Sequence, residues 1–265
     1  MCKNISRPYI TKKEFYLGIL TTPIHLFFFG ISLIVIDIIA RVVWRIYGNK
    51  KVSVIFRWKA YITLFLLKYT SGGKFYFRNT DVIKKLPKDR PVILVSNHQS
   101  LYDTAIHLIF LKDHDIVFIA KKELSKWIPT VAVCMRAQDT ALIDRDNPKQ
   151  SIQAIKELGK RMQEEKFAVG IYAEGTRAKD GKLKEFKDAG IKTLLKQAKD
   201  AVILPVAVDG SWKTFAYSYF PIPFGVKLFV EYLEPIEPKD YDISNITSVL
   251  HAKIENKIKE FRGEL

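Results

Sequence analysis

A histidine followed five positions later by an aspartate stands in Ser96-Asn97-His98-Gln99-Ser100-Leu101-Tyr102-Asp103. An imidazole titrates near neutrality, at about 6.5, so it can take a proton from a hydroxyl without help from extreme pH. A carboxylate beside it can hold the ring and stabilise the imidazolium that forms. On one regular helix, positions five apart point in different directions. The pair therefore meets only if His98 stays in a loop while Asp103 enters the first helical turn. A plainer reading fits the same residues. Ser100 and Asp103 have the spacing of a capping box, with Asp in place of the usual Glu or Gln. Asp103 would then only cap the helix, and His98 would be a surface loop residue. Spacing alone leaves both open.

Three further groups could handle an anionic substrate. In Tyr172-Ala173-Glu174-Gly175-Thr176-Arg177, Gly175 permits a tight turn and Arg177 offers a planar fork for a phosphate. Glu174 could orient a substrate or Arg177. The plain alternative is a solvated strand-to-helix turn. Ile143-Asp144-Arg145 presents another arginine after an apolar run, or merely an exposed ion-pair turn. Lys121-Lys122 and the run Lys182 to Lys187 add positive charge, although such runs are usually solvated faces. Ile203-Leu204-Pro205-Val206 places a proline in a strand, which reads as an edge strand or a bulge. G-x-S-x-G is absent, so nothing points to a nucleophilic serine.

These groups must be carried by elements that bring them together. Pro91 to Ser96, Asp115 to Ala120, Thr140 to Ile143, Ala168 to Ala173, Ala201 to Val208 and Val226 to Tyr232 are short, mostly β-branched apolar runs of strand length. Helical patterns lie between or after them, at Thr104 to Leu111, Asn147 to Glu165, Phe186 to Gln197 and Asn245 to Phe261. Alternation of this kind predicts an α/β fold with a largely parallel sheet flanked by helices. The candidate residues fall at strand ends, where sites form in open α/β sheets.

The first 70 residues have another character. Phe15 to Ile36 is an uncharged run long enough to cross a bilayer, interrupted by Gly18, Pro23 and Gly30, with His25 its one titratable group. Val52 to Leu67 is also apolar but carries Arg57 and Lys59, so it reads as an interfacial helix whose charges snorkel to headgroups beside Trp58 and Tyr61. Lys3, Arg7, Lys12 and Lys13 precede the first run, and Arg41, Arg45, Lys50 and Lys51 follow it. With basic residues on both sides, the positive-inside rule gives only a mild preference for a crossing. An N-terminal membrane-associated helical hairpin held in one leaflet keeps both flanks on one anionic face and is the expectation, against the plain alternative of a buried helix pair of the soluble core. The expected division is residues 1–70 for these helices and residues 71–265 for an α/β domain.

With 265 residues, 48% of them hydrophobic, the chain can bury a full core and is neither disordered nor polytopic. Its formal charge of +15 attracts polyanions: nucleic acid, an anionic bilayer or phosphorylated substrates. The two cysteines, Cys2 and Cys134, form no disulfide framework or metal-ligand cluster, and Cys134 lies in an apolar stretch that packs it.

The order of the blocks NHQSLYD, AKKEL (Ala120 to Leu124), IDR (Ile143 to Arg145), AEGTR (Ala173 to Arg177) and ILPVAV (Ile203 to Val208) resembles that of the glycerolipid acyltransferase family, which includes bacterial 1-acyl-glycerol-3-phosphate acyltransferases. The resemblance covers Arg90 to Asp209. It implies His98 as general base and Asp103 as its orienting partner. It implies that Arg145, Glu174, Gly175, Thr176 and Arg177 bind the acceptor phosphate, with Lys187 as the lysine following that block. Two departures bear on the acceptor: Tyr172-Ala173 stands where the family has Phe-Pro, and Arg136-Ala137-Gln138-Asp139 where a glycine is common.

The reaction so implied moves an acyl chain from acyl-CoA or acyl-ACP, as co-substrate, to the hydroxyl of 1-acyl-glycerol 3-phosphate, giving phosphatidic acid. His98 would take the hydroxyl proton directly, and backbone N–H groups near Gly175 would receive the oxyanion. No metal or redox cofactor is implied, and no nucleic acid. The partners are membrane lipids and the acyl carrier, at the cytoplasmic face of the inner or plasma membrane. Sibling acceptors are glycerol 3-phosphate, another lysophospholipid or a lyso-amino-acid lipid. Two other classes remain, a non-catalytic membrane-binding relative and a nucleic-acid-binding protein. The intact His98–Asp103 pair argues against the first, and the long apolar N-terminus against the second.

Overall fold

A computed structural model describes residues 10–264. Cys2, Lys3 and Arg7 of the N-terminal flank lie outside the described residues. The first helix, α1 (Lys12–Tyr47), opens on a capping box in which the Thr11 hydroxyl accepts from Glu14 N while the Glu14 carboxylate accepts from Thr11 N. Gly18, Pro23 and Gly30 do not interrupt it; all three lie inside one unbroken helix. Gly18 is instead a point of close approach, because a Cβ there would stand 2.4 Å from the Ile222 carbonyl oxygen. Gly48 ends α1, and α2 (Asn49–Ser71) turns back along it, with Ile36 and Ala40 packed against Val52 and Ile55. The expected hairpin is therefore present.

The strands are β1 (Lys74–Arg78), β2 (Val92–Ser96), β3 (Val117–Phe118), β4 (Ala120–Lys121), β5 (Leu142–Ile143), β6 (Ala168–Tyr172), β7 (Val202–Asp209) and β8 (Lys227–Tyr232). The remaining helices are α3 (Leu101–Phe110), α4 (Leu124–Trp127), α5 (Val131–Ala137), α6 (Pro148–Glu165), α7 (Asp188–Gln197) and α8 (Ile246–Arg262). Six strands form one sheet in the order β1-β8-β7-β2-β6-β3, parallel throughout except where β7 meets β8. The α/β class with a largely parallel sheet holds.

Alternation along the strands divides the core into two layers. Leu94, Leu204 and Val206 face α3 and α2, the latter contributing Ala60 and Leu67. Ile93, Val95, Val169 and Ile203 face α6 and α7 through Ile155, Leu158, Ile191 and Leu194. The hairpin thus shares the core of the α/β unit across the expected boundary at residue 70. Cys134 is packed, as its sequence context implies, and burial pushes its thiol up to about 12.

Two N-terminal expectations are corrected. Lys59 does not snorkel: it is 4% exposed, donates to Thr63 Oγ1 at 2.9 Å and stands over the Phe29 ring at 4.1 Å. Arg57 turns toward the turn after α3 and meets Asp115 at 3.2 Å. Each finds a protein partner because α2 packs against the domain, and the outer face is left to Trp58, Tyr61, Phe65 and Tyr69. Pro205 is also corrected in part. Its strand is interior, not an edge. The bulge half of that reading is right, since the β8-side pairing skips from Val206↔Tyr232 to Ile203↔Ile236, three residues against four. The Pro205 nitrogen, which has no proton to give, lies in that gap.

Candidate active site

β2, β6 and β7 run parallel or share their carboxyl ends with the sites that follow them, so His98, Glu174 and Ser211 emerge on one edge of the sheet. Asn97 continues the ladder with its side chain. Its amide donates to Val208 O and accepts from Val208 N, both at 2.8 Å. His98 is thereby held just outside β2, before α3 begins.

The two readings of Asp103 turn out to be one arrangement. Ser100 caps α3, and Asp103 completes the capping box from its third position. The same Asp103 Oδ2 accepts from Ser100 N and Gln99 N, each at 2.7 Å, and from His98 Nδ1 at 3.0 Å. Asp103 Oδ1 accepts from Ser211 Oγ at 2.6 Å. The carboxylate is fully buried, with both oxygens accepting hydrogen bonds. Burial alone would raise it, but His98, Ser211 and the backbone donors overcome that and hold it below the usual carboxylate range. A carboxylate at Oδ2 fixes the proton of His98 on Nδ1 and leaves Nε2 for the cleft. Tyr172 closes the other side: its ring stacks on the imidazole at 3.8 Å between centroids and 15° between planes, and its hydroxyl bonds to Thr104 Oγ1 at 2.9 Å.

Glu174 is placed differently from the expectation. It is buried, touches neither Arg177 nor the cleft, and ties two loops together by accepting from His98 N at 2.7 Å and Lys184 N at 3.0 Å. Burial pushes its carboxyl up to about 7 against the pull of those two N–H groups. Gly175 follows at φ +68°, a left-handed turn that a side chain would strain. Its N–H is already given to Tyr172 O at 2.9 Å, so it is not a free oxyanion donor. Thr176 and Arg177 have no hydrogen-bond partner for their N–H groups among the described residues.

A cleft of about 1010 Å³ opens over these groups. His98, Arg145, Gly175, Thr176 and Arg177 line it, as do three lysines, Lys121, Lys179 and Lys184. β4 pairs with β5, setting Lys121 beside Ile143 and so bringing the AKKEL and IDR blocks to the same wall. Arg145 stands in the cleft lining, while Arg177 sits over the Phe215 ring at 5.2 Å. Lys187 does not line the cleft; its Nζ lies 3.3 Å from where a Gly175 Cβ would stand. Lys184 does line it, with Nζ donating to Thr176 Oγ1 at 3.0 Å and Arg177 O at 2.9 Å. Apolar side chains also line the cleft: Phe118, Ile119, Leu124, Met135 and Ile143.

Residues that the sequence does not single out are those that act through others, Asn97, Ser211 and Tyr172, while Lys184 is present there only as one member of the run Lys182 to Lys187. Ser211 had a faint signal, standing just beyond the ILPVAV block. Tyr172 had none as a stacking partner, because its contact with His98 exists only once β6 lies beside β2.

Comparison with known proteins agrees with this geometry. The family model described as "Acyltransferase" matches residues 77–209, half of the chain. A 1-acyl-sn-glycerol-3-phosphate acyltransferase from Limnanthes douglasii is 31% identical over 58% of this chain and 53% of its own length. A human 1-acyl-sn-glycerol-3-phosphate acyltransferase beta is 35% identical over 56% of this chain and 50% of its own. The chain thus spans about half the length of these curated relatives. The crystal structure of a 1-acyl-sn-glycerophosphate acyltransferase from Thermotoga maritima has the same fold, with a TM-score of 0.70 over 94% of this chain and 98% of that one at 22% identity.

Proposed function

The chain belongs to the acyltransferase family, and on that premise we propose that it moves a fatty acyl chain from a thioester, acyl-CoA or acyl-ACP, to the hydroxyl of 1-acyl-glycerol 3-phosphate. The observation that carries the reading is His98, held on Nδ1 by a buried carboxylate at 3.0 Å, facing a cleft lined by Arg145, Arg177, Lys121 and Lys184. A base poised beside these cations suits an acceptor with a hydroxyl near a phosphate. His98 Nε2 takes the hydroxyl proton as the oxygen attacks the thioester carbonyl carbon. The C–O bond forms and the carbonyl electrons move to oxygen. The N–H groups of Thr176 and Arg177 are the unpaired donors at this turn for that oxyanion. The C–S bond then breaks, and the imidazolium returns its proton to the leaving thiolate. Asp103 stays ionised throughout. The acceptor phosphate is held by the forks of Arg145 and Arg177, with Lys184 rather than Lys187 or Glu174 completing the cradle.

Membrane association belongs to the same reading. α1 is long and apolar enough to cross a membrane, and only 11% of its most apolar window is buried. The hairpin is read as lying in one leaflet, at the cytoplasmic face, where acceptor and product reside.

Mass spectrometry of products formed from acyl-CoA or acyl-ACP and a panel of lyso-acceptors tests the reaction. Phosphatidic acid is the expected product; no ester from any acceptor would overturn the reading. His98→Ala should lower turnover by about 10²–10⁴-fold with an unchanged circular dichroism spectrum. Arg177→Lys should raise the Michaelis constant for the phosphorylated acceptor more than for the thioester, and an equal effect on both would remove Arg177 from the phosphate site.

A further inference from the structure

We propose that the loop from Phe215 to Phe220, between β7 and β8, is a second lipid-contacting element, seated among the headgroups of an anionic phospholipid bilayer beside α1. The inference rests on the reading that the acceptor is a membrane lipid, and it concerns how that lipid reaches the cleft. Tyr217, Tyr219 and Phe220 are 39%, 49% and 50% exposed, a concentration of aromatic surface that a water-facing loop does not need. Ser218 and Tyr219 adopt the left-handed region at φ 52° and 79°, where side chains are disfavoured.

The loop is continuous with the apolar face of α1. Tyr217 packs edge-on against Phe15 at 5.0 Å between centroids. The following segment is fastened to α1 at three places: Ile222 against Gly18, Ile222 N to Thr22 Oγ1 at 2.8 Å, and Phe224 N to Glu14 O at 2.9 Å. The exposed side of α1 at this end carries Tyr16, Leu20 and Ile24, and it begins with the exposed cations Lys12 and Lys13, which complement anionic headgroups. Tyrosine and phenylalanine at the rim of an apolar surface, next to lysines, form the pattern of a membrane interface.

The other side of the same loop faces the cleft. Ser218 and Tyr219 line it, and Tyr219 stacks edge-on with Phe215, whose ring lies under Arg177. A lipid whose phosphate rests on Arg177 while its chain remains in the bilayer must pass this loop. Seating the loop at headgroup depth places the phosphate site level with the phosphates of the leaflet.

The test uses the full chain. In a Cys2→Ser background, with Cys134 buried, Phe220→Cys is labelled with an environment-sensitive fluorophore. Lys199→Cys, exposed at the opposite edge of the sheet, is the reference. Vesicles of phosphatidylcholine and phosphatidylglycerol should shift emission to the blue at position 220 and leave position 199 unchanged. Vesicle binding with no change at 220, or no vesicle binding, overturns the proposal. In parallel, Tyr217→Ser/Phe220→Ser should lower transfer to a vesicle-borne acceptor by about 10-fold and spare a short-chain acceptor in solution. An equal loss on both would make the loop a wall of the cleft rather than a lipid contact. If the unaltered protein transfers to neither acceptor, the acyltransferase reading fails, and the fluorescence still decides the placement of the loop.

Discussion

One carboxylate, Asp103, both starts α3 and holds His98, so its removal should be visible in two independent measurements. Asp103→Asn keeps the shape but can no longer accept from every donor. Thermal denaturation should show a loss of about 1 kcal/mol for the weakened cap, and turnover should fall by about 10²-fold or more as the imidazolium loses its counter-charge. Loss of stability with normal specific activity would leave capping as its only task. Ser211→Ala, which removes one bond to Oδ1, should lower turnover while leaving α3 intact, as read by circular dichroism. Two other buried groups set a pH signature. Glu174 is raised by burial to about 7 in the folded protein from 4.5, so the native state binds its proton more tightly; that stability is present below about 4.5 and is lost as pH rises to 7. His107 is lowered by burial to about 4 from 6.5, so its contribution has the opposite sign and is lost as pH falls from 6.5 to 4. The two should offset between about pH 4.5 and 6.5. Denaturant titrations of Glu174→Gln should show stability rising with pH over that window, and those of His107→Phe should show it falling. A Glu174→Gln variant with the same pH slope as the parent protein would remove Glu174 from this account.

Elements were legible where their period was long or their composition pure. The buried strands β2, β6 and β7 and the helices α6, α7 and α8 begin and end within two or three residues of the expected positions, because β-branched runs and amphipathic stripes mark them. α4 and α5, of four and seven residues, are too short to display a helical period, and β1 hides its edge position behind the lysine and arginine at its ends. The glycines and proline of α1 were misread because a backbone-weakening residue and a close-contact residue look alike in one dimension. Gly18 distinguishes them by experiment. A side chain at Gly18 meets the Ile222 carbonyl at 2.4 Å, backbone that cannot swing away. Gly18→Val should therefore separate α1 from residues 221–225 and lower the melting temperature by several degrees, a shift of about 2–4 °C per kcal/mol for a domain of this size. Gly30→Val, with open space around it, should leave melting nearly unchanged. If the two variants melted alike, close packing at Gly18 would not be what holds the hairpin to the domain. The candidate site was legible to the same degree: His98, Asp103, Arg145 and Arg177 announce themselves by residue type, whereas Ser211 and Lys184 matter only through contacts that folding creates.

At the scale of the whole molecule, the attachment of α1 decides how the chain can meet a bilayer. A crossing helix must be free of its domain over the hydrocarbon layer, about 30 Å thick. α1 is fastened near its start, where Glu14 O accepts from Phe224 N, and again in its second half, where Asp37 Oδ1 accepts from Thr130 N at 2.6 Å and Leu33 O from Thr130 Oγ1 at 2.7 Å. Glu14 and Asp37 are separated by about 35 Å at 1.5 Å per residue. Midway, His25 Nε2 meets the hydroxyl of Tyr102, beside Asp103, at 3.0 Å. A crossing would carry residues 221–225, Tyr102 and Thr130, with their polar backbone, into the hydrocarbon, at a cost of several kcal/mol for each group left unsatisfied. Lying in the leaflet instead, α1 would present its exposed Leu20, Phe27, Ile31 and Ile38 to lipid, and α2 its exposed Trp58, Tyr61, Phe65 and Tyr69 to the interface. Both ends of the hairpin then stay on the side that holds the cleft. The expected outcome follows directly. In intact cells expressing the Cys134→Ser protein, native Cys2 should resist an impermeant thiol reagent and react fully after permeabilisation. Labelling of Cys2 from outside intact cells, with a cysteine at Lys199 protected, would establish a crossing and require the bonds at Thr130 or Phe224 to open in the membrane.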